Sequence, residues 1–297
     1  MRIKDIMLQC VGYVSELVNE TSEGQEYDPA GTGFFVSVPS KIAPGSYQYF
    51  VTAKHIAHSL QGRTIAFIVN TKDGAKAPLQ SLIPIWYLHP TTDLAVTVVK
   101  NTAGFDALSV STRSFVSEEV AKVKNIGIGD EVFMVGLFQH APGTDYNMPI
   151  VRMGNIAMIP RDQIYINTGP DSGYVDAYLI EARSIGGVSG SPVFVRPTAY
   201  VVGTNELGRS VEVAGIDGGA PYLLGVMQGH WEIKESEINR YDWSHDVKRG
   251  VNIGIGVVIP AQRILDLLND PDLVELREEA DRRYLEGLTP QNDSDVK

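Results

Sequence analysis

Cysteine is almost absent from this chain of 297 residues, which contains only Cys10. No disulfide can form within the chain, so the fold does not depend on the cross-links that many small secreted domains use. Cys10 has no histidine or basic residue beside it in the sequence. A reactive thiol is therefore not indicated, and we expect Cys10 to be a small buried apolar residue.

Long apolar segments are absent as well. The N-terminal stretch "MRIKDIMLQCVGYVSELV" is interrupted by Lys4, Asp5 and Gln9, so it does not have the apolar run of a signal peptide. No segment reaches the roughly 18 apolar residues that a membrane-spanning helix requires. We expect no membrane partner, and a protein that is cytoplasmic or is a mature form whose leader was removed.

Basic residues are too few for a typical nucleic-acid-binding protein. The chain has 25 Lys and Arg against 36 Asp and Glu, and its net charge is −11. Proteins that bind phosphate backbones usually carry a basic face, so we expect no nucleic acid partner. The segment 266–297 alone holds ten acidic and four basic residues. It is either a docking segment or, as we favour, the solvated face of a terminal helix.

Short β-type segments make up most of the chain. The 29 glycines and 16 prolines separate runs rich in Val, Ile, Tyr and Phe, such as "TGFFVSV", "YQYFVTA" and "LAVTVV". These runs form two sets, at about 8–110 and 120–258, which indicates two β units in tandem. The last part, from "PAQRILDLLND" onward, changes to helical spacing of its leucines.

The segment "ARSIGGVSGSPVFV" places Ser189 between glycines, just before a β-type run. By itself such a serine is usually part of a turn. A serine nucleophile needs a histidine within hydrogen-bond reach and a third group that orients the histidine. Of six histidines, His55 stands out because it follows the strand "YFVTA". Asp93 stands out because it is a carboxylate at the head of the apolar strand "LAVTVV", where it requires a hydrogen-bonding partner.

The three motifs "TAKH", "TTDLAV" and "GVSGSP", in this order, resemble those of the chymotrypsin/trypsin-like serine peptidases. The resemblance covers about residues 10–268 and is closest to the bacterial HtrA-like group, without a PDZ domain. It implies an all-β fold of two six-stranded antiparallel β-barrels with a C-terminal helix. We expect the first barrel at 8–115, the second barrel at 116–260 and a helical tail at 261–297.

The resemblance also implies a role for each motif. The protein would be a serine endopeptidase that hydrolyses peptide bonds, with protein or peptide substrates. Ser189 would be the nucleophile, His55 the general base and acid, and Asp93 the residue that orients His55. The backbone amides of Gly187 and Ser189 would form the oxyanion hole.

Substrate specificity is expected to depend on two segments. Arg183 occupies the position where trypsin-type enzymes carry an acid, so it would favour an acidic side chain or form a salt bridge at the pocket rim. Met227 and Gly229 fit a medium-sized apolar pocket, and backbone from Gln228 to His230 would pair with the substrate as an added strand. His230 would reach the pocket or be an ordinary strand histidine.

Several alternatives remain open at this point. The fold would also serve as a catalytically silent binding or regulatory module. No Ile-Val-Gly-Gly segment follows a cleavable basic residue, so the enzyme would be made active or be controlled by a regulatory protein partner. No cluster has metal-ligand spacing, and "GIGDEV" and "GIGVVI" lack the third glycine of a dinucleotide site, so we expect no metal and no cofactor. Nothing in the sequence indicates an oligomeric state.

Overall fold

A computed structural model describes residues 3–288, with gaps at 23, 101, 139–140, 167–172, 183–187, 205–209, 217–218 and 235–249. For residues 200–204, 210–216, 230–234, 250–253 and 288 it describes the backbone only. Within this part of the chain most of the regular structure is β-strand, as expected. None of the helices described is long and apolar enough to cross a membrane.

The first half of the chain folds into one sheet of eight strands. Its order is β5-β4-β1-β2-β3-β7-β6, and β8 pairs with β2 in parallel while the other pairs are antiparallel. The strands are β1 (Val11–Thr21), β2 (Gly24–Pro39), β3 (Ser46–Thr52), β4 (Ile65–Asn70), β5 (Lys76–Leu82), β6 (Tyr87–Leu88), β7 (Ala95–Val99) and β8 (Val110–Ser111).

The first sheet is rolled around an aromatic core. Phe50 stacks on Phe67 with ring centroids 4.1 Å apart and meets Phe35 edge-on at 4.9 Å. Leu79 of β5 and Val99 of β7 belong to the same buried cluster, although their strands lie near opposite ends of the sheet order. A flat sheet would keep these two strands apart, so the sheet must curve strongly.

The second half contains a closed barrel of six strands in the order β10-β13-β18-β17-β14-β9. The prediction of two six-stranded barrels is thus confirmed for this half, whereas the first half has eight strands in its sheet. Two separate hairpins, β11–β12 and β15–β16, accompany the barrel. The strands are β9 (Glu131–Gly136), β10 (Ile150–Met158), β11 (Ile164–Ile166), β12 (Gly173–Val175), β13 (Tyr178–Glu181), β14 (Pro192–Arg196), β15 (Thr198–Thr204), β16 (Ser210–Ile216), β17 (Tyr222–Lys234) and β18 (Gly250–Pro260).

Four α-helices are described: α1 (Lys54–Ser59), α2 (Glu118–Val123), α3 (Ala261–Leu268) and α4 (Pro271–Leu288). Two short 3₁₀ turns lie at Asp5–Leu8 and Thr112–Ser114. Helices α3 and α4 confirm the predicted helical C-terminus, and Pro271 begins the second of them, as its fixed φ favours.

A separate apolar cluster joins the two halves. It contains Phe34 and Val36 from β2, the stacked rings of Phe133 and Phe194 from the barrel, and Ile264 from α3. Phe34 faces this cluster while its neighbour Phe35 faces the first-half core, because successive side chains of a strand point to opposite sides. The two halves and α3 therefore share buried surface, and this fixes the position of one half against the other.

Helix α4 is attached to the first sheet through β3. The Tyr47 hydroxyl donates to the Asp281 carboxylate, which also accepts from Ser40 at 2.8 Å. Arg277 donates to the Tyr49 hydroxyl at 2.9 Å and lies over its ring. The acidic tail segment is thus partly a docked helix, and one of its carboxylates serves as the anchor.

Candidate active site

His55 and Asp93 form a close pair in the first half of the chain. Strand β3 ends at Thr52, and His55 is the second residue of α1. Its backbone N–H donates to Oδ1 of Asp93 at 2.9 Å, and its ring Nδ1 lies 2.7 Å from Oδ2. The carboxylate is nearly buried, while 45% of the His55 side chain is exposed. Asp93 therefore fixes both the main chain and the ring of His55, and the ring keeps access to solvent.

A buried histidine orders the loop that carries Asp93. His89 is only 7% exposed, and its Nδ1 accepts hydrogen bonds from the backbone N–H groups of Thr91 at 3.3 Å and Thr92 at 3.1 Å. The backbone N–H of His89 donates to the Leu94 carbonyl at 2.9 Å. His89 is not among the residues that the sequence motifs singled out. The available signal was its place in "HPTTD", where a side-chain acceptor precedes two otherwise unpaired amides.

Burial sets the protonation state of His89. Burial lowers its pKa below 6.5, and the nearby charges of Arg263 and Lys54 lower it further, while Asp266 acts in the opposite direction. A neutral ring is also what the geometry requires, since a protonated Nδ1 has no lone pair for the two amides.

Ser189 lies in a tight turn that is bonded to β17. The N–H of Gly190 donates to the Met227 carbonyl at 2.8 Å, and the Met227 N–H donates to the Ser191 carbonyl at 2.8 Å. Within the turn, the Ser191 N–H donates to the Val188 carbonyl at 3.2 Å. These bonds hold the half-buried Ser189 on a rigid support immediately before β14.

Gly190 brings this turn against the strand end that leads to His55. A Cβ at position 190 would lie 2.6 Å from Thr52 Oγ1 and 3.2 Å from the Ala53 nitrogen. Ala53 is two residues before His55, so Ser189 and His55 lie on segments in direct contact. Gly190 also has a φ of 82°, which favours glycine. A second link between the halves joins Thr32 and Leu137, whose N–H donates to Thr32 Oγ1 at 3.1 Å.

The hydroxyl of Ser189 donates to the carbonyl oxygen of Gln228 at 2.9 Å. Gln228 is the residue skipped in the pairing of β17 with β18, because Met227 pairs with Val258 and Gly229 with Val257. Such a bulge turns a backbone group out of the ladder, and here the carbonyl meets Ser189. Sequence reasoning assigned Gln228 to substrate binding but gave no sign of this contact.

A comparison with known protein families shows which family the chain belongs to. The family model for the trypsin-like peptidase domain matches residues 31–203, which is more than half of the chain. The chain belongs to the trypsin-like peptidase family. The resemblance seen in the sequence motifs is thereby confirmed. The matched region includes His55, Asp93 and Ser189.

Two further comparisons bear on this trypsin-like peptidase domain. Among solved structures, it is similar to Rv3671c from M. tuberculosis H37Rv, in the inactive form of a serine-to-alanine mutant. The identity is 17%, the TM-score is 0.42, and the similarity covers 88% of this chain and 86% of that chain. A search of curated proteins gives no match.

The other predicted site residues of this trypsin-like domain differ in their burial, and some lie outside the described part of the chain. Met227 is fully buried in the barrel core, and Gln228 is 5% exposed. Gly229 is half-buried, with open space where a side chain would be. His230 belongs to β17, and its side chain lies outside the described part, as do Arg183 and Gly187 entirely.

The described residues include no group of three or more His, Cys, Asp or Glu side chains arranged to hold a metal. The chemistry available at the site is that of an oriented imidazole, a buried carboxylate and a hydroxyl on neighbouring segments. This combination suits proton transfer to and from an alcohol.

Proposed function

We propose that the protein is a serine endopeptidase that hydrolyses peptide bonds with His55, Asp93 and Ser189. The observation that carries this proposal is the position of Gly190 against Ala53, which brings the Ser189 turn to the segment where Asp93 holds His55. In this proposal, residues 8–115 supply the imidazole and the carboxylate, and residues 116–260 supply the alcohol.

The roles of the three side chains follow from their contacts. Asp93 accepts the Nδ1 proton of His55, so Nε2 is left as the base. Ser189 Oγ attacks the scissile carbonyl carbon and passes its proton to Nε2, and the imidazolium then protonates the leaving amine. Water completes the cycle by hydrolysing the acyl-serine with the same histidine as base.

The oxyanion would be bound by the backbone amides of Gly187 and Ser189. The pattern of amide bonds in the turn supports this choice. The N–H groups of Gly190 and Ser191 are already bonded to Met227 and Val188, whereas the Ser189 N–H has no partner among the described residues. Donors fixed in place before the reaction stabilise a developing oxyanion without reorganisation.

The substrate would lie along the edge of β17. In this arrangement backbone from Gln228 to His230 pairs with the substrate chain, and Gly229 leaves space for a side chain. Arg183 would meet an acidic substrate side chain or form a salt bridge at the rim. The side chain of Met227 in β17 is buried in the barrel core, where it would lie behind the substrate pocket and support it.

A second candidate function, a catalytically silent binding or regulatory module, is favoured by the Ser189–Gln228 bond. The single hydroxyl proton of Ser189 is directed at a carbonyl oxygen, and proton transfer to His55 requires rotation of the serine side chain. In the peptidase this is a resting state, which substrate or a regulatory partner reverses. In the silent module it is permanent.

Labelling with a fluorophosphonate probe distinguishes the two functions. We expect covalent modification of Ser189, located by peptide mass spectrometry, and loss of both labelling and casein hydrolysis in Ser189→Ala and His55→Ala. Ser191→Ala is the matched control, because Ser191 is buried two residues away and its hydroxyl has no partner in the described chain. Retained casein hydrolysis by folded Ser189→Ala would refute the peptidase proposal, and absence of labelling in folded wild type would favour the silent module.

A further inference from the structure

A groove lies between the first sheet and helix α4, apart from every residue used in the proposed function. One wall is the segment Gln80–Tyr87, the other is Leu276–Arg283 of α4, and the floor is formed by β3 and residues Thr97–Lys100. We call it the edge groove. Its volume of about 870 Å³ is within the range of ligand-binding clefts.

The floor of the edge groove includes an uncovered strand edge. Strand β7 pairs with β3 along its whole length, from Ala95 to Val99. On its other side β6 covers only Ala95 and Val96. Among the described residues, the edge of β7 from Thr97 onward has no strand beside it. Such an edge offers backbone groups to another extended chain, and here they are those of half-buried Val98, since Thr97 and Val99 are only 4% and 5% exposed.

Gln80 spans the gap beside this edge. It is skipped in the pairing of β4 with β5, since Phe67 pairs with Leu79 and Ala66 with Ser81. Its φ of 55° is uncommon for a residue with a side chain. Its Nε2 donates to the Lys100 carbonyl, while its Oε1 is buried without a partner. A side-chain amide thus makes a contact at the end of β7 that a neighbouring strand would otherwise make.

The walls of the edge groove are apolar and its rim is basic. Ile85 is 74% exposed, Ile83 is 61% exposed and Leu276 is 46% exposed, which is unusual for three neighbouring large apolar side chains. Lys100, Arg277 and Arg283 line the groove, and the single acid among its lining residues, Glu279, is ion-paired with Arg283, which leaves Lys100 and Arg277 as the excess cations. This local excess of positive charge contrasts with the net charge of −11 and favours an acidic occupant.

We propose that the edge groove binds an extended peptide segment of a partner protein, with apolar side chains at alternate positions and acidic ones between them. The peptide adds as a strand to β7 at Val98, its apolar side chains contact Ile83 and Ile85, and its carboxylates meet Lys100 and Arg277. A lipid chain would satisfy the apolar walls but not the backbone edge. The proposal does not depend on peptidase activity.

The test uses a fluorescein-labelled hexapeptide of alternating Glu and Ile with blocked ends. Its binding to the 297-residue Ser189→Ala protein is followed by fluorescence anisotropy, so that peptidase activity cannot consume the probe. We expect saturable binding, at least tenfold weaker for a hexapeptide with Lys in place of Glu. Methylation of alternate backbone nitrogens should cause a similar loss, because strand addition needs those N–H groups.

Surface variants locate the binding site. Ile85→Asp and Lys100→Glu, each added to Ser189→Ala, should weaken binding at least tenfold without lowering the thermal midpoint. Ile128→Asp is the matched control, since Ile128 is 68% exposed in the other half of the chain, and it should bind like the parent. Three outcomes would overturn the proposal: no saturable binding by folded protein, displacement of the peptide by dodecanoate, or concentration-dependent dimerisation that Ile85→Asp abolishes.

Discussion

Gly190 lies so close to Thr32 that a Cβ at position 190 would come within 2.1 Å of the Thr32 carbonyl oxygen. The same carbonyl accepts the Thr52 hydroxyl at 2.7 Å, so it cannot easily move aside. The two halves of the chain therefore meet here backbone to backbone. The Ser189 turn is brought to the His55 segment by a residue that has no side chain.

We expect Gly190→Ala to lower the free energy of unfolding by roughly 2–5 kcal/mol, from left-handed strain and overlap with Thr32 together. Gly129→Ala is the control, because Gly129 has a φ of 92° but open space around its Cβ position. It should cost only about 1–2 kcal/mol, the strain alone. Urea denaturation measures the free energy of unfolding of both variants. Equal losses in the two variants would contradict the close contact between Gly190 and Thr32.

Asp93→Asn should abolish most activity without unfolding the protein. An amide offers Nδ2–H toward Nδ1 of His55 and favours the wrong tautomer, so we expect kcat/KM to fall about 10⁴-fold. Asp130→Asn is the matched variant. Asp130 is as buried as Asp93 but accepts from Gly127 and Thr198, far from the site.

Asp130→Asn should lower the free energy of unfolding by about 1–3 kcal/mol, since a buried N–H loses its acceptor, while kcat/KM of the folded fraction stays unchanged. Peptide hydrolysis assays and urea denaturation on both variants give the comparison. A similar loss of kcat/KM in the two variants would show that Asp93 matters only for folding.

Stability should fall as the pH drops below about 6.5, because of His89. Its folded-state pKa lies below 6.5, mainly through burial and also through Arg263 and Lys54, so the unfolded chain takes up the proton first. Neutral His89 makes its full contribution to the free energy of unfolding above pH 6.5. This contribution is lost as the pH falls from 6.5 to the lower folded-state pKa. His89→Asn keeps an acceptor for the Thr91 and Thr92 amides and does not titrate. Unfolding free energies from pH 7.5 to 5.0 should decrease more in wild type, and parallel curves would exclude His89 as the cause.

Tyr47→Phe should raise the pKa of Asp281, the carboxylate that anchors helix α4 to the first sheet. The Tyr47 hydroxyl lowers the pKa of Asp281 below 3.8 by hydrogen bonding to the carboxylate, with a smaller effect from Ser40. This contribution to stability is present above pH 3.8 and is lost as the pH falls through the folded-state pKa. We expect the Asp281 carboxyl signal to titrate at higher pH in Tyr47→Phe, followed by carbon-detected NMR. Tyr87→Phe, which removes a hydroxyl without a partner in the described chain, should leave that titration unchanged.

Much of the candidate site was predictable from the sequence because it depends on short segments. A histidine after the strand "YFVTA", an aspartate at the head of "LAVTVV" and a serine between glycines each appear within a few residues. Short runs rich in Val, Ile, Tyr and Phe predicted the strands, and leucine spacing predicted helices α3 and α4. These patterns are local because strand and helix periodicity is a property of neighbouring residues.

Other features arose only from contacts between distant segments. The Ser189 hydroxyl meets Gln228, 39 residues away, because a bulge in β17 turns that carbonyl outward. His89 is buried and its pKa responds to the charges of Arg263 and Asp266 in α3, and Asp281 anchors α4 to Ser40, 241 residues earlier. The sequence by itself determined which segments become strands and helices and which residues have suitable chemistry. The tertiary structure decided which of these face each other, because burial and hydrogen-bond partners depend on how the segments pack.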